Sequence, residues 1–299
     1  MSLTEVAEYA VTMSCLGCSM VCLLLTVTAY TVFPVLRTRA GKNNVVLSLS
    51  LMLAQASLIV SSHTTAPGIL CTTIGITTHF LWLWMFSWTL VCSHHMFKVF
   101  TARTPVLPGT PREQNVELMK TVGLSLAVPT VVCVAVVATH LVVYDGTKTG
   151  YGETSCYMDN TFLVGLSLVG PLAVIITCNL SFFLTTVCII HKTRRMQSAM
   201  YSSSDLVKDV FIYAKLSTIT GAFWTLAVVA EALDVTALRF ISIVINGLQG
   251  VFIFLSYTCN KRVLDLIVMF VYGHRVPNTM SAEATAPYSM LELTHIRPL

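Results

Sequence analysis

Charge is what this sequence has least of. Only 11% of its 299 residues are Asp, Glu, Lys or Arg, against roughly 25% in soluble domains, while 55% are apolar. A soluble chain of this length needs far more polar surface, so the surplus apolar surface must face lipid. Long basic blocks are also missing, which argues against a nucleic-acid site despite the net charge of +4. Met1 to Glu8 carries Glu5 and Glu8 and no basic region ahead of an apolar run, so no cleaved signal peptide is expected and the first span directs insertion. There is no Gly-rich phosphate loop and no nucleophile–base set, so no enzyme is expected. No Lys lies between Phe240 and Tyr257, which disfavours a retinal Schiff base in the last span.

Long hydrophobic runs are what the chain does have. A helix needs about 20 apolar residues to cross a bilayer core. Seven runs meet or approach that length: Val6–Phe33, Val45–Ser62, Ile69–Val99, Thr121–Val143, Phe162–Ile190, Val210–Ala230 and Phe240–Tyr257. They are too long and too little alternating for barrel strands, so they read as helices. Pro34, Gly41, Pro67, Gly68, Pro105, Pro108, Gly109, Pro111, Gly146, Gly150 and Gly152 punctuate the connectors. Pro129 and Pro171 fall inside spans and are expected to kink them. The fold class is an all-α seven-transmembrane bundle occupying residues 1–272, followed by a disordered cytoplasmic tail over 273–299. Lys261 to Tyr272 pairs a basic start with apolar Val263, Leu264, Leu266, Ile267, Phe270 and Val271, which suits a short amphipathic helix on the inner leaflet.

The basic residues divide by side. Alternate gaps hold Arg37, Arg39 and Lys42, then Lys98, Arg103, Arg112 and Lys120, then Lys192, Arg194, Arg195, Lys208 and Lys215, then Lys261, Arg262, Arg275 and Arg297. The opposite gaps hold Lys148 and Arg239. The positive-inside rule puts the first set in the cytoplasm, with the N-terminus outside and the C-terminus inside. A multi-pass plasma-membrane protein is the expectation. Of the ten Cys, most lie within spans and read as small packing residues; Cys15 and Cys18 form a C-x-x-C without further ligands, so no metal or cofactor is expected. Cys71, at the outer end of span three, and Cys156, in the second outer loop, face the oxidising side, where a disulfide between them would pin the loop over the bundle mouth.

Particular residues sharpen this picture. Asn246-Gly247-Leu248-Gln249-Gly250-Val251-Phe252-Ile253-Phe254, followed by Asn260-Lys261-Arg262-Val263, closely resembles span seven of the class B (secretin-like) G-protein-coupled receptors, adhesion type. Tyr151-Gly152 with Cys156-Tyr157, then Val169-Gly170-Pro171 and Asn179-Leu180, resemble the same family. So do Gly221-Ala222-Phe223-Trp224 in span six, Trp88, Leu90-Val91 and His95-Met96-Phe97 in span three, and Leu53-Ala54-Gln55 in span two. The resemblance implies a bend in span seven at Gln249 and Gly250 with Asn246, and a toggle at Trp224 under an agonist pocket also drawing on Phe223 and Trp88. It also implies a G-protein face at His95, Lys98, Arg194, Arg195, Lys215 and Lys261. His79, in the outer half of span three, reads either as a packed, hydrogen-bonded His or as a residue lining the agonist pocket. The implied partners are an extracellular ligand, a heterotrimeric G protein, the lipid bilayer and a possible dimer mate. Three positions depart from the family: Asn44 stands for a His, Cys92 for a Glu and Leu126 for a Trp. Adhesion receptors also carry a long ectodomain and a tethered agonist. Only Met1 to about Glu5 precede span one here, so a truncated gene product or a shortened receptor with another ligand is expected. A non-coupling receptor-like dimer partner and a membrane transporter are the alternatives; no internal repeat favours the transporter.

Overall fold

The computed structural model describes residues 3–64, 68–101, 110–146, 148–152, 155–158, 160–197, 223–259 and 261–271. The long helices are α1 (Leu3–Val32), α2 (Arg39–His63), α3 (Ile69–Thr101) and α4 (Pro111–Val143). The fifth span is α5 (Thr161–Val164), a π segment (Gly165–Val169) and α6 (Gly170–Gln197). Then come α7 (Phe223–Leu233), α8 (Thr236–Gly247), α9 (Gln249–Tyr257) and α10 (Lys261–Val271). Among the described residues five helices are long and apolar enough to cross a membrane, and α8 with α9 forms a bent pair that makes a sixth if counted as one span. The first part of the expected sixth span, residues 210–222, lies outside the described residues, and α7 occupies the remainder. The tail over 273–299 and Lys215 also lie outside them.

Local chemistry explains where helices begin. α4 starts at Pro111, well before the expected Thr121, because Thr110 and Glu113 form a capping box: the Thr110 hydroxyl accepts from the Glu113 N–H, and the Glu113 carboxylate accepts from the Thr110 N–H. α2 likewise starts at Arg39 rather than Val45, with Thr38 accepting from the Gly41 N–H at 3.1 Å. α4 runs through Pro129 as one helix. Pro171 follows the π segment after Gly170.

The bundle is assembled with its polar residues inside. Ser19, Thr26, Ser48, Gln55, Thr78 and His79 are fully buried, whereas Leu124, Val131 and Val142 are largely exposed. That arrangement suits lipid, where apolar contact alone cannot drive helices together and small or hydrogen-bonding residues do. α3 is central and packs against α2, α4 and α6, while α1 packs against α2, α8 and α9. The main core contains Leu23, Leu51, Trp82, Met85, Phe86, Trp88, Leu172 and Ile253. Trp88 locks α3 to α2 by donating its indole N–H to the Asn43 carbonyl at 2.9 Å. On the other flank, Trp84 donates to the Ser125 hydroxyl of α4 at 3.1 Å. With Leu126 in place of a span-four Trp, this indole contact comes from α3.

Candidate functional site

One group of residues lies at the end of the bundle nearer the α1 N-terminus, a second near its middle, and a third at the opposite end. The first is the outer loop with its anchors. Cys71 and Cys156 are joined by a disulfide. Around it the chain turns back on itself, with Tyr151 bridging Met158 and the Gly152 N–H donating to the Tyr157 carbonyl at 3.1 Å. Gly152 has φ +80°, and a Cβ there would sit 2.7 Å from the Thr72 backbone nitrogen, so only glycine lets the loop press this closely on α3. The Ser61 hydroxyl donates to the Cys156 carbonyl at 2.7 Å, tying the loop to α2 as well.

His79 sits beneath this loop, fully buried. Its Nε2 is 3.3 Å from the Ser167 carbonyl and its Nδ1 is 2.7 Å from the Tyr151 hydroxyl. A carbonyl only accepts, so the Nε2 carries the hydrogen and the Tyr151 O–H donates to Nδ1. The Ser167 carbonyl is the one whose α-helical donor would be the N–H of residue 171, and Pro171 has none. The segment is π there, and His79 gives this carbonyl a donor next to a proline that has none, while the same ring receives the loop. Burial pushes the Tyr151 and Tyr157 hydroxyls above the usual phenol value, which keeps both as protonated donors. His79 thus belongs to this anchoring group, with Tyr151 and Tyr157 as its ring neighbours.

The second group surrounds the break in the last span. α8 and α9 meet at Leu248 with a bend of 43°. Asn246 donates through Nδ2 to the Phe223 carbonyl of α7 at 3.1 Å, and its Oδ1 accepts from Gln249 Nε2 at 3.0 Å. The Phe223 ring lies 5.6 Å from Phe252. Next along α7, Trp224 meets Trp82 and Phe86 edge-on, at 4.9 and 5.1 Å. Its indole nitrogen is buried without a hydrogen-bond partner. Gly250 lets α9 touch α1: its N–H donates to the Ser19 hydroxyl at 2.9 Å, and a Cβ would collide with that hydroxyl and lie 2.6 Å from Leu23. Trp224, Phe223, Asn246, Gln249 and Gly250 are thus brought together, whereas Trp88 is placed in the α2–α3 seam.

At the opposite end, Arg39 of α2 makes a two-pronged contact with Glu117 of α4, at 2.7 and 2.6 Å. Lys42 donates to Asn115 at 2.6 Å. His95 lies within electrostatic reach of Arg39, Glu117 and Lys98. Asn44 is buried and Cys92 packs against the main core. Arg194 and Arg195 lie on α6 and Lys261 opens α10, but their side chains are outside the described residues, as is Lys215. Sequence reasoning missed Trp82, Phe86 and Ser19 as partners of the break. Gly247 was missed as well; a Cβ there would lie 2.6 Å from Cys15 Cβ.

A family model described as "7 transmembrane receptor (Secretin family)" matches residues 6–253. The chain belongs to the secretin family of seven-transmembrane receptors. It is 27% identical over 249 residues to the human Adhesion G protein-coupled receptor E3, covering 81% of this chain and 36% of that protein. The dog Adhesion G protein-coupled receptor E2 is 28% identical over 245 residues, 81% of this chain and 28% of its own length. G-protein coupled receptor Mth2 of Drosophila yakuba is 24% identical over 261 residues, 82% and 48% of the two chains. The chain therefore spans well under two thirds of the relatives it matches. Membership of a multi-pass receptor family agrees with the all-helical bundle, the apolar helix surfaces and the disulfide.

Proposed function

We propose that this chain is the signal-transmitting seven-helix domain of a G-protein-coupled receptor of the adhesion type. An agonist reaching the mouth beneath the disulfide-anchored loop acts on the Trp224 and Asn246–Gln249 group, and a G protein meets the opposite, basic end. The observation that carries this reading is the jointed last span. α8 and α9 are separate helices meeting at a 43° bend, and the bonds holding their joint run to α7 through Phe223 and to α1 through Ser19. A ligand that favours one arrangement of α7 over another acts on the joint through Phe223, which is how binding energy shifts a two-state equilibrium.

Two features support an N-terminus outside and a C-terminus inside. The disulfide, which persists on oxidising sides of membranes, sits at one end. Arg39, Lys42 and Lys98 cluster at the other, as the positive-inside rule requires. Residues 1–272 form the receptor domain and 273–299 a cytoplasmic tail. A non-coupling receptor-like protein is the competing reading, and Asn44 and Cys92 favour it, because a thiol replaces an acceptor carboxylate with a weak donor. The test is G-protein activation in cells without added agonist, comparing the chain with Trp224→Ala and Gln249→Ala. Coupling predicts a signal that one or both variants change. Equal, near-zero signals from all three support the non-coupling reading.

A further inference from the structure

The first turns of α4 carry a feature that the joint at Leu248 and the loop anchors do not account for. Arg112, Val116, Met119 and Lys120 recur at helical spacing on one exposed flank, beside an open recess of about 700 Å³ that Asn115 also lines. The acidic residues of this stretch are already engaged. Glu113 is held in the capping box and Glu117 is held by both prongs of Arg39. Arg112 and Lys120 have no acidic partner among the described residues. Two uncompensated cations therefore flank Val116, 46% exposed, and Met119, 69% exposed. The same side of the helix continues into the span as Leu124, Val131 and Val134, all exposed. The buried side of α4, carrying Ser125, Cys133 and Val136, faces the bundle instead.

We propose that this flank of α4 is a binding site for an anionic phospholipid of the leaflet at that end. Arg112 and Lys120 engage the phosphate-bearing headgroup, and the acyl chains lie along Val116, Leu124 and Val131. Charge complementarity names the headgroup, and continuity with the exposed apolar stripe names lipid rather than a soluble phosphate.

The test is native mass spectrometry of the purified full chain in detergent, offered equal phosphatidylcholine and phosphatidylinositol 4-phosphate. The chain is expected to retain the anionic lipid in preference. Arg112→Ala with Lys120→Ala should lower that preference by about fivefold for each cation lost, the usual gain per basic side chain at an anionic surface. Arg112→Lys with Lys120→Arg should preserve it, and so should Lys148→Ala at the other end of the bundle. Unchanged preference in the double alanine variant overturns the proposal, as does an equal loss in Lys148→Ala. Full displacement of the lipid by an equal concentration of soluble inositol bisphosphate overturns it too, since the acyl chains would then contribute nothing. If the double variant keeps its lipid but loses G-protein binding, the flank is a protein-docking surface and the proposal is wrong.

Discussion

Replacing His79 by Phe keeps ring volume and removes both ring nitrogens. The Ser167 carbonyl then loses the donor that stands in for the missing Pro171 N–H, and the Tyr151 hydroxyl loses its acceptor. A buried polar group left unsatisfied costs about 1–3 kcal/mol. Hydrogen bonds between membrane helices measure lower, about 0.6 kcal/mol on average and up to about 1.7. The Ser167 contact is long at 3.3 Å, so its share should fall near the low end, and the two lost bonds together should cost about 1–2 kcal/mol. At about 2–4 °C per kcal/mol for chains of this order, the melting temperature should drop by roughly 5 °C. Thermal unfolding in detergent, followed with a thiol-reactive dye that reports exposure of cysteines such as Cys133, measures this directly. The decisive arm uses Pro171→Ala, which restores an N–H able to bond the Ser167 carbonyl. In that background His79→Phe should cost about 1 kcal/mol less, as expected for coupled neighbours. Equal melting shifts in both backgrounds, or none in either, would refute the idea that His79 substitutes for the proline's missing donor.

Three further outcomes are expected. Gly250→Leu should destabilise the chain by at least about 1–3 kcal/mol, the usual cost of overpacking, because α1 and α9 cannot separate without breaking the Gly250–Ser19 bond; the same thermal assay reads it. Cys71→Ser should lower stability by about 2–5 kcal/mol and abolish the mobility difference between reduced and unreduced chain on a gel. Arg39→Ala should cost less than about 1 kcal/mol, since both Arg39 and Glu117 are 42–50% exposed and such pairs are screened by water; a double-mutant cycle with Glu117→Ala checks it.

Among the described residues hydropathy located the five long spans and the bent last one, because a helix in lipid must be apolar over a length that soluble helices rarely reach; most of the expected sixth span lies outside them. The disulfide was legible because sidedness put Cys71 and Cys156 together on the oxidising face. A bend at Gln249 and Gly250 was expected from the family resemblance, with Gly250 itself permitting one; the break lies at Leu248, just before them. The extension of α4 was not predicted, since hydropathy is blind to the polar turns from Pro111 to Lys120, although Thr110 and Glu113 have capping-box spacing. A packed, hydrogen-bonded His79 was the stronger of its two expected roles, but which groups it bonds could not be read. Its partners Tyr151 and Ser167 are 72 and 88 residues away, and no periodicity reports contacts of that range. Trp88 looked like a pocket residue from its family neighbourhood, yet the Asn43 carbonyl that holds it is visible only in three dimensions.

The central claim is that the disulfide end and the basic end of one bundle face opposite sides of a membrane. Epitope tags at the two termini of the full chain, stained in intact and then permeabilised cells, test it most directly. The N-terminal tag should stain in intact cells and the C-terminal tag only after permeabilisation. Staining of both tags under the same condition would contradict the account.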